Sequence, residues 1–168
     1  MNYLLELPPK RADKKLKPMK TAYPISSLLH EKSTALWSVT PDTTVFDAIK
    51  LMAEKNIGAL PVLAGEHLVG IFTERDYTRK VALMGKNSRE TRVREIIARE
   101  LVTVSPRDSV EDCMRLMTEN RVRHLPVIEA GTQLVGIVSI GDLVNWIIST
   151  QNAAIEQLEQ YIAGGVAG

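Results

Sequence analysis

The amino-acid sequence predicts an α/β (α+β) fold in which two pseudo-symmetric repeats, each running strand-helix-strand-strand-helix, pack through their sheets. Three observations carry this expectation. A pattern of residues in the first half of the 168-residue chain recurs, in order, in the second half. Within each copy a stretch of helical periodicity is followed by two short apolar runs separated by a Gly-containing loop. A single copy, about 60 residues long, would leave one face of its sheet bare, and a second copy can cover it.

The repetition is residue-specific. Val39, Pro41, Val45, Asp47, Leu51 and Met52 recur as Val104, Pro106, Val110, Asp112, Leu116 and Met117. Leu60, Pro61 and Val62 recur as Leu125, Pro126 and Val127. After a one-residue insertion, Leu68, Gly70, Ile71, Thr73 and Asp76 recur as Leu134, Gly136, Ile137, Ser139 and Asp142. Self-similarity of this kind marks one supersecondary unit used twice.

The elements follow in chain order. Residues 1–23 are rich in Lys, Arg and Pro and read as a flexible, solvated basic arm. The first repeat spans residues 24–84, a polar linker 85–92, the second repeat 93–148, and a helical extension with a Gly-rich tail 149–168. Each repeat opens with a short extended stretch, residues 37–40 or 101–105, that ends at Pro41 or Pro106. Thr44 with Asp47, and Ser109 with Asp112, have the spacing of helix N-caps. Val45, Ala48, Ile49 and Met52 then keep to one helical face, as do Val110, Cys113, Met114 and Met117, so Cys113 is expected in the core. Two strands follow in each copy, residues 60–63 and 68–72, then 125–128 and 134–138. A second helix opens at Thr73 or Ser139. The last helix, residues 142–162, carries Val144, Ile148, Ile155, Leu158 and Ile162 at heptad-like spacing, with Gln151 as the polar member.

Composition narrows the classes of function. With 45% hydrophobic and 24% charged residues the chain is expected to fold. A net charge of +1 excludes a chain-wide basic surface for nucleic acid or membrane, and only the basic arm supports a weak nucleic-acid reading. The single cysteine cannot form an internal disulfide and points to a reducing compartment. No signal-peptide pattern and no apolar run of about 20 residues occur, so a soluble, cytoplasmic protein is expected. No HExxH or GxGxxG motif is present. Gly136 and Gly141 have P-loop spacing, but Asp142 stands where the lysine would be. An enzyme and a metal site are therefore not expected.

The chemical centre is the repeated segment that ends in Thr73 and Asp76, or in Ser139 and Asp142. A hydroxyl at a helix start with a carboxylate three residues on has two readings. It is a capping box, which contributes about 1 kcal/mol and needs no ligand. It is equally a nucleotide corner, in which helix N–H groups attract phosphate and the carboxylate accepts bonds from ribose hydroxyls. Spacing alone leaves both open.

The paired Val-Thr/Ser-Pro starts, Leu-Pro-Val segments and Gly-Ile-x-Thr/Ser-x-x-Asp motifs, in this order, resemble a tandem pair of CBS domains, a Bateman module. The resemblance covers about residues 38–148, with the helix before Trp37 included. Residues 73–77 and 123–127 are similar to those of small bacterial stand-alone CBS-pair proteins. The resemblance implies an adenosine ligand in the cleft between repeats: AMP or NAD, with ATP, ADP or S-adenosylmethionine as further family ligands. It implies that Asp76 and Asp142 hold ribose hydroxyls and that Thr73 and Ser139 bond the ribose or phosphate. Backbone at Ile57, Gly58 and Ala59, and at Val122, Arg123 and His124, would meet the adenine edge, with Val39 or Thr103 nearby. Arg75 in the first copy has Gly141 as its partner in the second, so the two sites are expected to differ in charge.

Arg75 and Arg79 are four apart on one helical face, and with Arg123 and His124 they are the expected phosphate contacts; Arg121 reads as a solvated surface charge. This cationic set favours a phosphorylated adenosine over S-adenosylmethionine, whose sulfonium is positive. The resemblance also implies a homodimer, which the heptad seam supports. The expected function is a sensor that signals to an unidentified protein partner. A ligand-free structural homodimer and an S-adenosylmethionine sensor are the alternatives.

Overall fold

The computed structural model describes residues 23–32, 35–97, 101–131 and 133–164. The basic arm, apart from Tyr23, lies outside the described residues. The elements are α1 (Ile25–Glu31), α2 (Val45–Lys55), β1 (Ala59–Ala64), β2 (His67–Thr73), α3 (Glu74–Tyr77), α4 (Val110–Asn120), β3 (His124–Glu129), β4 (Gln133–Ser139) and α5 (Ile140–Gly164). A π-helical stretch, Thr78–Ala82, continues α3, and a single 3-10 turn, Val93–Glu95, precedes the second repeat.

Both hairpins form as the sequence predicts, and they match in detail. β1 pairs antiparallel with β2, Leu60 opposite Phe72, with a bulge between Val62 and Leu63. β3 pairs with β4, Leu125 opposite Val138, with the same bulge between Val127 and Ile128. The predicted leading strands shrink to one parallel bridge each, Val39 to Val62 and Val104 to Val127. Pro41 and Pro106 explain the shortening, since neither can donate to a ladder. The predicted caps are present: Thr44 accepts from the Asp47 amide at 3.0 Å, and Ser109 from the Asp112 amide at 3.0 Å. Both helices end on a left-handed residue, Asn56 at φ 52° and Arg121 at φ 55°.

The packing crosses between repeats. One core cluster joins Val45, Ala48, Met52, Leu60, Val62 and Phe72 of the first repeat to Val93 and Ile96 from the start of the second. The other joins Val110, Cys113, Met117, Leu125, Val127, Val138 and Leu143 to Ile25 and Leu28 of α1. Each leading segment is therefore exchanged. Backbone bonds fix the exchange: Val45 N–H donates to Thr91 O at 2.9 Å, and Val110 N–H to Tyr23 O at 3.1 Å. The polar linker is accordingly strapped to the first repeat. Phe46 N–H donates to Ser88 O at 2.9 Å, and the Arg89 guanidinium lies 3.8 Å from the Phe46 ring centre.

This exchange explains the glycine in each motif. A Cβ on Gly70 would lie 2.5 Å from Cδ1 and 3.2 Å from Cβ of Ile97, and one on Gly136 would lie 2.8 Å from Cδ2 of Leu29. The exchanged segment can approach its sheet only where the side chain is missing. Gly70→Ala should destabilise the protein by about 1–3 kcal/mol in urea unfolding, the usual cost of overpacking. Combined with Ile97→Val, the loss should be smaller than the sum of the single losses. Strict additivity would show that the two sites do not press on one another.

Candidate functional site

Two of the clefts that open where the repeats meet hold a hydroxyl-carboxylate corner, and each draws its walls from both repeats. The first, about 470 Å³, holds the Ser139 and Asp142 corner of the second repeat against Trp37, Ile57, Gly58 and Ala59 of the first. The second, about 290 Å³, holds the Thr73 and Asp76 corner of the first repeat against Leu101, Val102, Val122, Arg123 and His124 of the second. Gly58 and His124 line both clefts. The hairpins carry the two corners to the interface because β2 and β4 each run directly into a helix.

The corners are full capping boxes. The Thr73 amide and hydroxyl donate to Asp76 Oδ2 at 3.1 and 2.7 Å, and the Asp76 amide donates to Thr73 Oγ1 at 3.2 Å. The Ser139 amide donates to Asp142 Oδ2 at 2.7 Å, and the Asp142 amide to Ser139 Oγ at 3.1 Å. Capping does not use up the carboxylates. Oδ1 of Asp142 accepts no bond among the described residues, whereas Oδ1 of Asp76 is paired with Lys80 Nζ at 2.7 Å.

Each acid has a lysine partner, from different places. Lys80 lies one turn beyond Asp76 and also donates to Ile96 O at 2.7 Å. Lys32, from the end of α1, reaches Asp142 Oδ2 at 2.6 Å and Ile137 O at 3.1 Å. Burial alone would raise the Asp142 carboxyl. The Lys32 ammonium and the Ser139 amide outweigh it and hold the group below the usual carboxylate range, so it is ionised at neutral pH. The i, i+4 spacing of Asp76 and Lys80 was a legible signal. Lys32 had none, because it arrives from the exchanged helix.

The expected site residues divide. Ile57, Gly58, Ala59, Thr73, Arg75, Asp76, Arg79, Val122, Arg123, His124, Ser139 and Asp142 line one cleft or the other. Val39 does not: it is buried in the first core, its backbone bonded to Pro61 and Leu63. Thr103 faces a separate surface groove beside Ile128 and Gly131, and Gly141 lines neither cleft. The leading segments instead present Trp37 and Leu101 with Val102, because the bridging valines Val39 and Val104 turn inward. Arg121, read as a surface charge, is exposed yet lines the second cleft. Arg75 donates to its carbonyl at 2.9 Å, tying the two repeats together.

His124 corrects a second expectation. Burial first, then the neighbouring charges of Arg123 and Lys32, push its imidazole down to about 4, against the opposing pull of Asp142. The ring is neutral at pH 7 and offers one donor and one acceptor, not a cation for phosphate.

Among the described residues, no group of three or more His, Cys, Asp or Glu is arranged to hold a metal ion, and no helix is long and apolar enough to cross a membrane.

The family model for the CBS domain matches this chain twice, over residues 31–83 and 93–149. The chain belongs to the CBS domain family and carries the domain as a tandem pair. It is 45% identical over 135 residues to the mitochondrial CBS domain-containing protein CBSX3 of Arabidopsis thaliana, covering 77% of this chain but 65% of that relative, less than two thirds of its length. It is 35% identical to the CBS domain-containing protein YhcV of Bacillus subtilis, over 77% of this chain and 91% of that one. A solved structure of a protein with CBS domains from Burkholderia ambifaria is 47% identical, with a TM-score of 0.73 over 77% of this chain and 96% of that one. A CBS domain pair solved with 5′-methylthioadenosine and S-adenosyl-L-methionine shares the fold at a TM-score of 0.67 and 23% identity, covering 77% of this chain and 99% of its own.

The imidazole yields a pH prediction. The unfolded chain binds the His124 proton near pH 6.5, and the folded protein binds it only near 4. Protons between these values therefore favour the unfolded state. Stability should be full above about pH 6.5 and fall by up to about 3 kcal/mol towards pH 4. His124→Gln should flatten that decline in thermal melts. Equal declines in both proteins would assign the proton uptake to other groups.

Proposed function

We propose that this CBS pair is a regulatory sensor that binds an adenine nucleotide, AMP or NAD first and ATP or ADP next, and passes its occupancy to a protein partner. The observation that carries the reading is the crossed construction of the clefts. Each places a hydroxyl-carboxylate corner of one repeat opposite the β-strand entrance of the other, so a bound ligand would bridge the two. A ligand that bridges them favours one arrangement of the repeats over others, which is the thermodynamic content of sensing.

The Asp142 cleft suits a nucleoside. Its free carboxylate oxygen can accept a ribose hydroxyl. Trp37 offers an aromatic face to a base, and the Lys55 ammonium sits 4.0 Å from the ring centre. A base stacked on Trp37 would release Lys55 towards the phosphate. The Asp76 cleft is the more cationic. Arg75, Arg79, Lys80, Arg121 and Arg123 line it, against Lys32 and Lys55 in the other. It therefore favours the ligand with more phosphate charge. The S-adenosylmethionine of the fold neighbour supports adenosine chemistry in general, while the cations here disfavour its sulfonium. The wall chemistry suits binding and signalling.

Isothermal titration of nucleotide-stripped protein should give heat with AMP, NAD or ATP and less with S-adenosylmethionine. Asp142→Asn should weaken binding about 10- to 100-fold at one site, the loss of a charge-assisted bond. Quenching of Trp37 fluorescence should follow the same site and vanish in Trp37→Leu. No heat with any of the four compounds would leave the structural-dimer reading standing.

A further inference from the structure

Duplication has left the two repeats with very different charge at one set of positions. Arg75 and Arg79 follow β2, and Arg121 and Arg123 lie between α4 and β3. Their counterparts in the other repeat are Gly141, Asn145, Asn56 and Gly58, none of them charged. All four arginines are exposed, and none takes part in an ion pair among the described residues. Arg121 also sits in left-handed backbone at φ 55°, where Asn56 sits at φ 52° in the first repeat. Asparagine tolerates that conformation, whereas arginine gains nothing from it locally. The residue keeps its place as one of a set: Arg75 Nη1 donates to Arg121 O at 2.9 Å and holds the two side by side.

The four meet on an open groove of about 650 Å³ outside the two clefts, floored by Met117, Val122 and Ile140. The same arginines also line the Asp76 cleft, so each stands between an inner cavity and an outer trough. Glu74 is the one acid among the described residues that line the groove, and its carboxylate turns towards the clefts: Oε2 lies 3.5 Å from where a Cβ on Gly58 would stand. The groove therefore joins a cationic rim to an apolar floor. Carboxylates match the guanidinium forks, and apolar side chains beside them would cover the floor. Nucleic acid fits it less well. None of the described lining residues is aromatic, so a base has nothing to stack on, and four cations in one short trough make no track for a phosphate backbone.

We propose that this groove docks an acidic, partly apolar segment of a partner protein, and that nucleotide phosphate in the Asp76 cleft competes with that segment for the shared arginines. The competition rests on the proposed nucleotide role of that cleft; the dock does not. A guanidinium drawn inward to a phosphate is withdrawn from a carboxylate outside, because each side chain has a single planar fork. The two occupants are antagonists, and each lowers the affinity of the other by the same factor. The Asp142 cleft holds none of the four arginines, so its occupancy does not enter this competition.

Fluorescence polarisation of the full chain, stripped of nucleotide, with a labelled peptide of Glu-Glu-Leu repeats tests the dock, and a Lys-Lys-Leu peptide is the control. The acidic peptide should bind, more weakly as salt rises, and the basic one should not. Arg79→Asn combined with Arg121→Asn gives both positions the residue of the other repeat, as at Asn145 and Asn56. The double variant should keep its melting temperature, since asparagine suits the left-handed position, and bind the acidic peptide about 10-fold more weakly. Saturating ATP should displace the peptide, and adenosine, which lacks phosphate, should not. Failure of the acidic peptide to bind, equal binding of the basic one, or undiminished binding by the double variant overturns the proposal. So does a peptide retained under ATP in a protein that gives heat with ATP. Absence of heat with ATP defeats the nucleotide role and with it the competition, while the peptide measurements still decide the dock.

Discussion

Everything else in this fold depends on the exchange of leading segments. Ile25 and Leu28 complete the core of the second repeat, and Val93 and Ile96 complete the core of the first. Backbone bonds at Val45 and Val110 lock the exchange, and the missing side chains at Gly70 and Gly136 make room for it. Apolar burial at about 25 cal/mol per Å² drives this packing, and a repeat without its donated segment would expose its sheet. The clefts follow as geometry: each corner meets the opposite repeat because the chain has already crossed over.

Electrostatics then distinguishes two clefts that duplication would have made alike. Gly58 and Ala59 stand where Arg123 and His124 stand in the second copy; Gly58 and the His124 ring line both clefts, and the Arg123 guanidinium lines the Asp76 cleft alone of the two. Lys80 occupies both the free oxygen of Asp76 and the carbonyl of Ile96, while Lys32 leaves one oxygen of Asp142 open. Both lysines offset the cost of partly burying a carboxylate, and both sit where an incoming anion would reach them.

Much of the fold was legible in the sequence. The repeats, the hairpins and the caps at Thr44 and Ser109 were fixed by local chemistry: periodicity, Gly-containing loops and hydroxyls before apolar stripes. The corners at Asp76 and Asp142 were legible because the motif occurs twice. What escaped was whatever depends on distant partners. No local pattern places Lys32 beside Asp142 or shows that α1 belongs to the other core. Val39 and Thr103 were chosen as the extended residues near the clefts, but the inward turn at the Val39–Val62 bridge hands that role to Trp37. The charge of His124 was misjudged because burial, not residue type, decides it.

The shared position of His124 has an effect reaching past either cavity alone. The ring is a partition common to two compartments, with Gly58 alongside it. An occupant that swung the ring in one compartment would reshape the neighbouring one, and thermodynamic reciprocity would make the influence run equally in both directions. On the proposed sensing role, such a molecule would compare two concentrations instead of reading one.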